Sequence, residues 1–369
     1  MDYECTLDSK MVKKTGNIRV ALMGCGRIAR KHANVIIGMF GSGIELVAVC
    51  DPDIVRARTF SEEYSVAYYA SLQSLLATED VDVVSVLTPS GMHKDCALEA
   101  ILAGKHVLVE KPVALRPEHV DELIAAAAAH NVSVYVVKQN RFNKPIKELS
   151  SALHAGRFGK LVLGTLRVRW CRRQQYYDQD SWRGTWAQDG GVLANQAIHH
   201  LDLLQWLMGP VDNVFAQAST ALVDIEAEDT IVATIRFSSG ALGVVEATNA
   251  ARPFDTEGSI SILGENGLVE VGGFAANELK VWNFATEMPQ DKSIIVNSAT
   301  NPSDVYGFGH VEVYENLIRA MSQKDHLLVD AVGARESIVL LNAIYESANS
   351  GRLVAPSEWQ KFKTVKLGL

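Results

Sequence analysis

The sequence predicts an α/β protein, with an N-terminal doubly wound parallel sheet followed by an α+β domain built on a large, mostly antiparallel open sheet. Three observations carry that expectation. From residue 17, short continuous apolar runs alternate with amphipathic stretches, the pattern of a parallel sheet covered by helices on both faces. Beyond residue 141 the runs lengthen, alternate apolar with polar positions and are separated by turn residues. The chain has 369 residues, 48% of them hydrophobic, which is enough for two cores.

In chain order, "NIRVALMG" reads as the first buried strand and "RIARKHANVIIGMF" as the helix after it. "IELVAVCD" is the second strand and "PDIVRARTFSEEY" its helix. "VDVVSVLTP" and "HVLVEKP" are strands flanking the helical "HKDCALEAILAG". "PEHVDELIAAAAAHN" carries proline in its first turn, where a missing N–H costs nothing, and "VSVYVVKQN" is the next strand. This first domain spans 17–140. A helix near 143–156 opens the second, 141–369, in which "GKLVLGTLRVRW" begins the longer strands. "DTIVATIRFSSGALGVVEATNA" is a hairpin turning at Ser238, Ser239 and Gly240, and "GSISILGENGLVEVGG" another turning near Asn266 and Gly267. The helical "VEVYENLIRAMSQ" and "ARESIVLLNAIYESANSG" close the chain. Residues 1–16, "MDYECTLDSKMVKKTG", are polar and patternless and are expected to be a disordered leader.

A formal net charge of −8 argues against a nucleic-acid-binding face and against attachment to an anionic membrane surface. No apolar run is long enough to span a bilayer, and no signal-peptide pattern opens the chain, so a cytoplasmic protein is expected. The cysteines Cys5, Cys25, Cys50, Cys96 and Cys171 are odd in number and lack metal-ligand spacing, which fits reduced thiols.

"VALMGCGRIARKH" places Gly24, Gly26 and Ala29 as G-x-G-x-x-A between the first strand and the first helix. The first glycine allows the tight turn, the second lets the main chain approach a pyrophosphate, and a small third residue lets helix and strand pack closely. The helix N-terminus adds free N–H groups for the anion. Asp51 ends the second strand 27 residues after Gly24, where an acidic side chain accepts from an adenosine ribose and repels a 2′-phosphate. A Rossmann dinucleotide site is the expectation, with NAD favoured over NADP; Arg27 is the nearby residue that could meet a phosphate.

With "TPSGMH" at 88–93 and "EKP" at 110–112, the chain resembles the Gfo/Idh/MocA family of nicotinamide-dependent sugar oxidoreductases over nearly its whole length. Within that family it is most similar to bacterial UDP-N-acetylglucosaminuronate 3-dehydrogenases of surface-polysaccharide synthesis. The residues behind that closer likeness are "VVKQNRFN", "YYDQDSWRGTW", "DGGVLANQAIHHLDLLQWL", "EGSISILGENG" and "VYGFGH". The resemblance implies that Lys111 is the catalytic lysine, with a cis Lys111–Pro112 bond. It also implies that Thr88, Pro89, Ser90, His93, Glu110 and Gln139 line the cofactor. Ile28 and Arg183 are taken with them, and Tyr306 with the substrate. A homotetramer joined through the large sheets of the second domain is implied too.

Physical reading supports the lysine: it ends a parallel strand, where ligands sit in such sheets, and Pro112 keeps it out of a helical conformation. A helix expected over 194–208 puts Asn195, His199 and Asp202 within an arc of about 60° and turns His200 about 100° away from His199. His199 is therefore the functional histidine, and His200 a structural or interface residue. Many family members carry Asp-x-Gly-x-His here, whereas this chain has Asn195, so an Asp–His relay is absent at that position, as in the 3-dehydrogenases. A zinc reading of His199, His200 and Asp202 fails because the two histidines diverge and no third soft ligand lies at ligand spacing. No metal is expected.

In "RVRWCRRQQYYDQDSWRGTW" not all arginines can reach one site, since 167, 169, 171 and 173 share one strand face and 168, 170 and 172 the other. Arg172 is the choice for an anionic group. The expected reaction is NAD-dependent oxidation of the C3 hydroxyl of a UDP-linked amino sugar. Lys111 acts as base, and His199 and Asn195 act beside it on the substrate; which of Lys111 and His199 takes the proton first stays open. The rivals are UDP-N-acetylglucosamine as substrate, a free sugar or cyclitol, and a non-catalytic NAD-binding regulator.

Overall fold

The computed structural model describes residues 16–298, 307 and 309–369; all but the last residue of the expected leader, and Tyr306, lie outside the described residues. The first sheet has seven strands in the order β14-β6-β5-β4-β1-β2-β3. They are β1 Ile18–Met23, β2 Ile44–Cys50, β3 Ala67–Tyr69, β4 Val83–Val86, β5 His106–Val109 and β6 Val134–Val136, all parallel, with β14 Val329–Asp330 antiparallel at one edge. The strand order reverses between β1 and β4, which opens a crevice beyond their carboxyl ends.

Both faces of this sheet are covered, which is why β4 reads as an unbroken apolar run and is buried at every position. One face packs against the helices Arg27–Gly38 and Ile54–Tyr64 and, from far along the chain, Gly309–Met321 through Val313, Tyr314 and Leu317. The other packs against His93–Leu102, Pro117–His130 and the start of Ala331–Ser350. The segment from Gly309 into the start of the helix Ala331–Ser350 thus returns to the first sheet.

The second sheet has the order β13-β12-β11-β7-β10-β9-β8. Its strands are β7 Leu161–Arg169, β8 Val211–Ser219, β9 Thr230–Phe237, β10 Leu242–Thr248, β11 Glu257–Gly264, β12 Gly267–Gly272 and β13 Glu278–Phe284. Every neighbouring pair is antiparallel except β7 with β10. Both expected hairpins form, at β9–β10 and β11–β12. One face is closed by the helices Ile198–Met208 and Ala331–Ser350, and the strand periodicity of two follows from that single covered face.

The expected continuous helix over 194–208 is corrected. It is two helices, Val192–Asn195 and Ile198–Met208, with Gln196 and Ala197 between them. No glycine or proline marks the break. Tertiary contacts make it: Gln196 Oε1 accepts from Asn249 Nδ2 at 2.9 Å, and the Asn195 carbonyl takes a lysine instead of a helical N–H.

Candidate active site

A cleft of about 1070 Å³ opens at the carboxyl ends of β1, β2, β4 and β5 and runs to the second domain. It is lined by Gly24, Gly26, Arg27, Ile28 and Asp51 on the turn side and by Thr88, Pro89, Ser90, His93, Glu110, Lys111 and Gln139 at its centre. Arg172, Arg183, Asn195 and His199 line the far wall. These are all the expected site residues that the structure describes.

The glycine turn is shaped for a dinucleotide. Gly24 has φ +101° and a Cβ there would lie 2.9 Å from the Leu87 carbonyl oxygen, so a side chain is excluded. A Cβ on Gly26 would meet nothing within 4 Å, which leaves open space beside the N-terminus of the helix Arg27–Gly38. The Asp51 carboxylate is fixed by the Cys25 and Asp53 N–H groups, both at 2.9 Å. The space and the held carboxylate fit NAD. Arg56 Nη1, 3.8 Å from Asp51, is an added cation that the sequence reading missed.

Two of the expected cofactor-lining residues spend their side chains inside the protein. His93 bridges the Pro112 carbonyl at 2.6 Å and the Thr88 carbonyl at 2.8 Å, and so ties the TPSG turn to the strand end. Gly91 makes that turn's close approach possible, since a Cβ there would strike the Ala187 carbonyl at 2.3 Å. The Glu110 carboxylate turns inward, with His32 Nε2 at 3.1 Å and His310 Nε2 at 3.6 Å. His32 Nδ1 meets Tyr314 Oη at 2.7 Å, which meets Ser85 Oγ at 3.2 Å. Burial alone would raise the Glu110 carboxyl, but its two histidine partners hold it well below the usual range. The ligand atoms of His32, Glu110 and His310 lie within 4.8 Å of one another, a spacing a metal could use. Carboxylate and His32 imidazole are nevertheless in direct hydrogen-bond contact. A Cβ on Gly309 would strike the Gln139 carbonyl at 2.2 Å, so this glycine lets His310 reach the network.

Lys111 follows β5, and its peptide bond to Pro112 is cis. Its Nζ donates to the Asn195 carbonyl at 2.8 Å, across 84 residues of chain. An unbroken helix would commit that carbonyl to the N–H of residue 199; the break at 196–197 frees it. Burial lowers the lysine pKa, opposed by the charges of Glu110 and Asp189 and assisted by Lys138 and Arg183. A lysine is a useful base when its pKa is brought down in this way.

His199 Nε2 lies 3.1 Å from Gln139 Nε2. With the amide donating, the imidazole proton sits on Nδ1. Burial and then the Lys111 charge push the His199 pKa well below its ordinary value, so the ring is neutral, accepting at Nε2 and donating at Nδ1. His200 is buried against Trp170 and Gly258, and burial pushes its pKa down to about 4. Asp202 does not join Asn195 and His199, which corrects the shared-face expectation. Its carboxylate holds Arg141 in a two-point ion pair at 2.8 and 2.9 Å and Lys138 Nζ at 3.0 Å.

Asp189 is a residue the sequence reading missed. Asn195 Nδ2 donates to its Oδ1, and the Gly184 N–H donates to Oδ2 at 2.8 Å. It stands just before the Gly190–Gly191 pair, and no spacing rule says that it folds back on Asn195. A Cβ on Gly191 would strike Glu228 Oε2 at 2.1 Å, so that glycine serves the close approach of the helix start to another segment.

On the substrate wall, the Arg172 and Arg183 guanidinium carbons lie 5.5 and 4.6 Å from the Tyr176 ring centroid. Arg183 also lies 4.4 Å from the Trp182 ring and pairs with Asp180 at 2.9 Å. Arg172 Nη1 binds Asp255 and its own neighbour's carbonyl, both at 2.8 Å. Arg167 and Arg169 instead pair with Glu246 and Glu257 on the open face of the second sheet.

Two family models match this chain: the NAD-binding Rossmann fold of the GFO_IDH_MocA oxidoreductase family over residues 18–138, and its C-terminal alpha/beta domain over 150–355. The chain belongs to the Gfo/Idh/MocA oxidoreductase family. It is an NAD-dependent oxidoreductase. The myo-inositol 2-dehydrogenase of Thermotoga maritima is 30% identical, with 68% of this chain and 74% of that one covered. The D-glucoside 3-dehydrogenase of Escherichia coli is 25% identical, over 94% of this chain and 99% of its own. Among solved structures, the WlbA dehydrogenase of Bordetella pertussis, in complex with NADH and UDP-GlcNAcA, is 39% identical with a TM-score of 0.88. That likeness covers 92% of this chain and 98% of WlbA. The WlbA dehydrogenase of Chromobacterium violaceum, also with NADH and UDP-GlcNAcA, is 41% identical with a TM-score of 0.87, covering 93% and 96%. Among the described residues, no helix is long and apolar enough to cross a membrane.

Proposed function

We propose that this family member oxidises the C3 hydroxyl of a UDP-linked amino sugar, with UDP-N-acetylglucosaminuronate as its substrate, in surface-polysaccharide synthesis. The observation that carries the reading is the continuity of one cleft from the glycine turn, past Lys111 and His199, to the arginine and aromatic wall of Tyr176, Arg172 and Arg183. The cleft measures about 1070 Å³, and the arginines and aromatic rings of its far wall suit anions and a flat ring. The likeness to the two WlbA structures points the same way.

NAD supplies the hydride acceptor when bound, held by the main chain at Gly24–Arg27 and by Asp51. Lys111, with its pKa brought down by burial, takes the hydroxyl proton at Nζ. His199 Nδ1 and Asn195 orient the sugar, while Gln139 fixes the imidazole ring. Arg172 faces the anionic group.

The chain acts in the cytoplasm; the thiols of Cys25, Cys50, Cys96 and Cys171 are all free. It assembles as a homotetramer through the uncovered face of the second sheet, where Phe215, Val232, Leu242 and Val244 are exposed. The test of the reading is NADH formation on UDP-N-acetylglucosaminuronate, UDP-N-acetylglucosamine, glucose and myo-inositol. The expected result is the highest kcat/KM on the uronate. Faster turnover of a free polyol, or tight NAD binding with no turnover on any of them, would overturn it.

A further inference from the structure

Position 195 lacks the carboxylate that many members of the family place there, yet a carboxylate stands against it. Asp189 receives the Asn195 side-chain amide, and its other oxygen is anchored by the Gly184 N–H at 2.8 Å. Asn195 in turn offers its main-chain carbonyl to Lys111 Nζ at 2.8 Å. Resting on the reading of Lys111 as proton acceptor, we propose that Asp189 is its positioning residue. It pins Asn195 so that the freed carbonyl aims the lysine, and it supplies from the neighbouring loop the negative charge that position 195 does not carry.

Three features support the role. The residue is 1% exposed, so its charge acts in a low-dielectric setting. The segment is held on both sides: the Gly91 N–H donates to the Gln188 carbonyl at 2.8 Å, and Gly190 N–H to the Thr185 carbonyl at 2.8 Å. The carboxyl also sits at a useful point on the pH scale, since burial raises it to about 6 against the opposing Gly184 N–H, Asn195, Arg183 and Lys111. The charged and titratable groups facing Lys111 and Asp189 are Glu110, Lys138, Arg183, His199 and Glu228. Glu110 is held ionised and His199 neutral, while burial raises Glu228 to about 7.

The experiment follows Lys111 directly, by NMR of lysine labelled with 13C at Cε in the NADH-bound enzyme, with the signal assigned by its loss in Lys111→Met. Asp189→Asn removes a negative charge that favours the ammonium. The Lys111 titration should therefore move down by roughly half a unit or more, as nearby charges shift such groups. The acid limb of kcat/KM on UDP-N-acetylglucosaminuronate should move down with it, and kcat should fall about tenfold through lost alignment. An unchanged Lys111 titration would overturn the proposal.

Asn195→Ala cuts the same link, so its kcat loss and that of Asp189→Asn should not multiply in the double variant; multiplied losses count against it. If Asp189→Asn does not fold, Asn195→Ala decides: with the pinned amide gone and the carbonyl kept, the Lys111 signal should shift and kcat fall about tenfold, and an unchanged signal with unchanged kcat overturns the assignment. A wild type that forms no NADH from any UDP-sugar defeats the functional reading instead, while the NMR result still settles the part played by Asp189.

Discussion

Between Gly24 and Asp51 the chain makes its half of the cleft largely from main-chain groups: a positive-φ glycine, an open glycine, a helix N-terminus and one carboxylate fixed by two N–H groups. At the end of β5 the other half is made from side chains. Lys111, Gln139, His199, Asn195 and Asp189 arrive from separate segments and hold one another by hydrogen bonds across 60 and 84 residues. The first half tolerates change outside its glycines and its acid, because its donors belong to the backbone. The second half is coupled, so removing one member disturbs its neighbours. That contrast predicts where mutations hurt chemistry and where they hurt binding alone.

The largest effect is expected at Lys111. Lys111→Met keeps much of the apolar stem and should lower turnover by about 10²–10⁴-fold, the usual cost of losing a general base. NAD binding should stay within roughly tenfold, because its contacts lie on the glycine turn. Calorimetric titration with NAD beside NADH formation checks both, and a well-folded variant with near-normal turnover would shift the base role to His199.

Next is Asp202, which serves the fold beneath the site. Asp202→Asn leaves Lys138 and Arg141 facing each other without a counter-charge, and should cost about 3–5 kcal/mol in a denaturant titration at neutral pH. Burial would raise the Asp202 carboxyl, but the two cations outweigh it and hold it well below the usual range. Its stabilisation is therefore complete above the unfolded value of about 3.9 and is lost as pH falls through the native one. The gap between wild type and variant should narrow below pH ~4. A gap that is constant down to strong acid would mean that the ion pairs are not its source.

Arg172→Ala should cost UDP-N-acetylglucosaminuronate about 1.5–3 kcal/mol more than UDP-N-acetylglucosamine, as a charged hydrogen bond would. Equal losses on both substrates would assign the arginine to the diphosphate, or to its pairing with Asp255. The smallest effect belongs to the main-chain half of the cleft. Asp51→Ala should weaken NAD about tenfold, roughly 1.4 kcal/mol, and narrow the preference over NADP, since the repulsion of a 2′-phosphate goes with the carboxylate. Equal affinities for both cofactors in the wild type would remove that role, with Arg56 as the cation that meets the phosphate.

How much was legible in the sequence follows the same division. The glycine turn, Asp51 and the lysine at the strand end could be read because each is set by local spacing within one strand–turn–helix unit. Both second-sheet hairpins could be read for the same reason. The break at Gln196–Ala197 could not, because a side chain from 249 and the ammonium of Lys111 impose it on a stretch that is helical by propensity. Asp202 was placed on the right helix but assigned the wrong company: its face meets Lys138 and Arg141, which only the packing of distant segments decides. The inward Glu110–His32–His310 network was invisible because its partners are remote in sequence, and Asp189 because its loop folds back on Gly184 and Asn195 by no local spacing rule.

The claim on which the rest depends is that hydrogen leaves C3 of a nucleotide-linked sugar as hydride beside Lys111, at the centre of the cleft. The most direct measurement uses UDP-N-acetylglucosaminuronate deuterated at C3, with the NADH formed weighed by mass spectrometry. The account predicts that the NADH carries the label. Unlabelled NADH would place the oxidised carbon elsewhere, and no NADH at all from a well-folded, NAD-binding protein would contradict the assignment of this cleft to sugar oxidation.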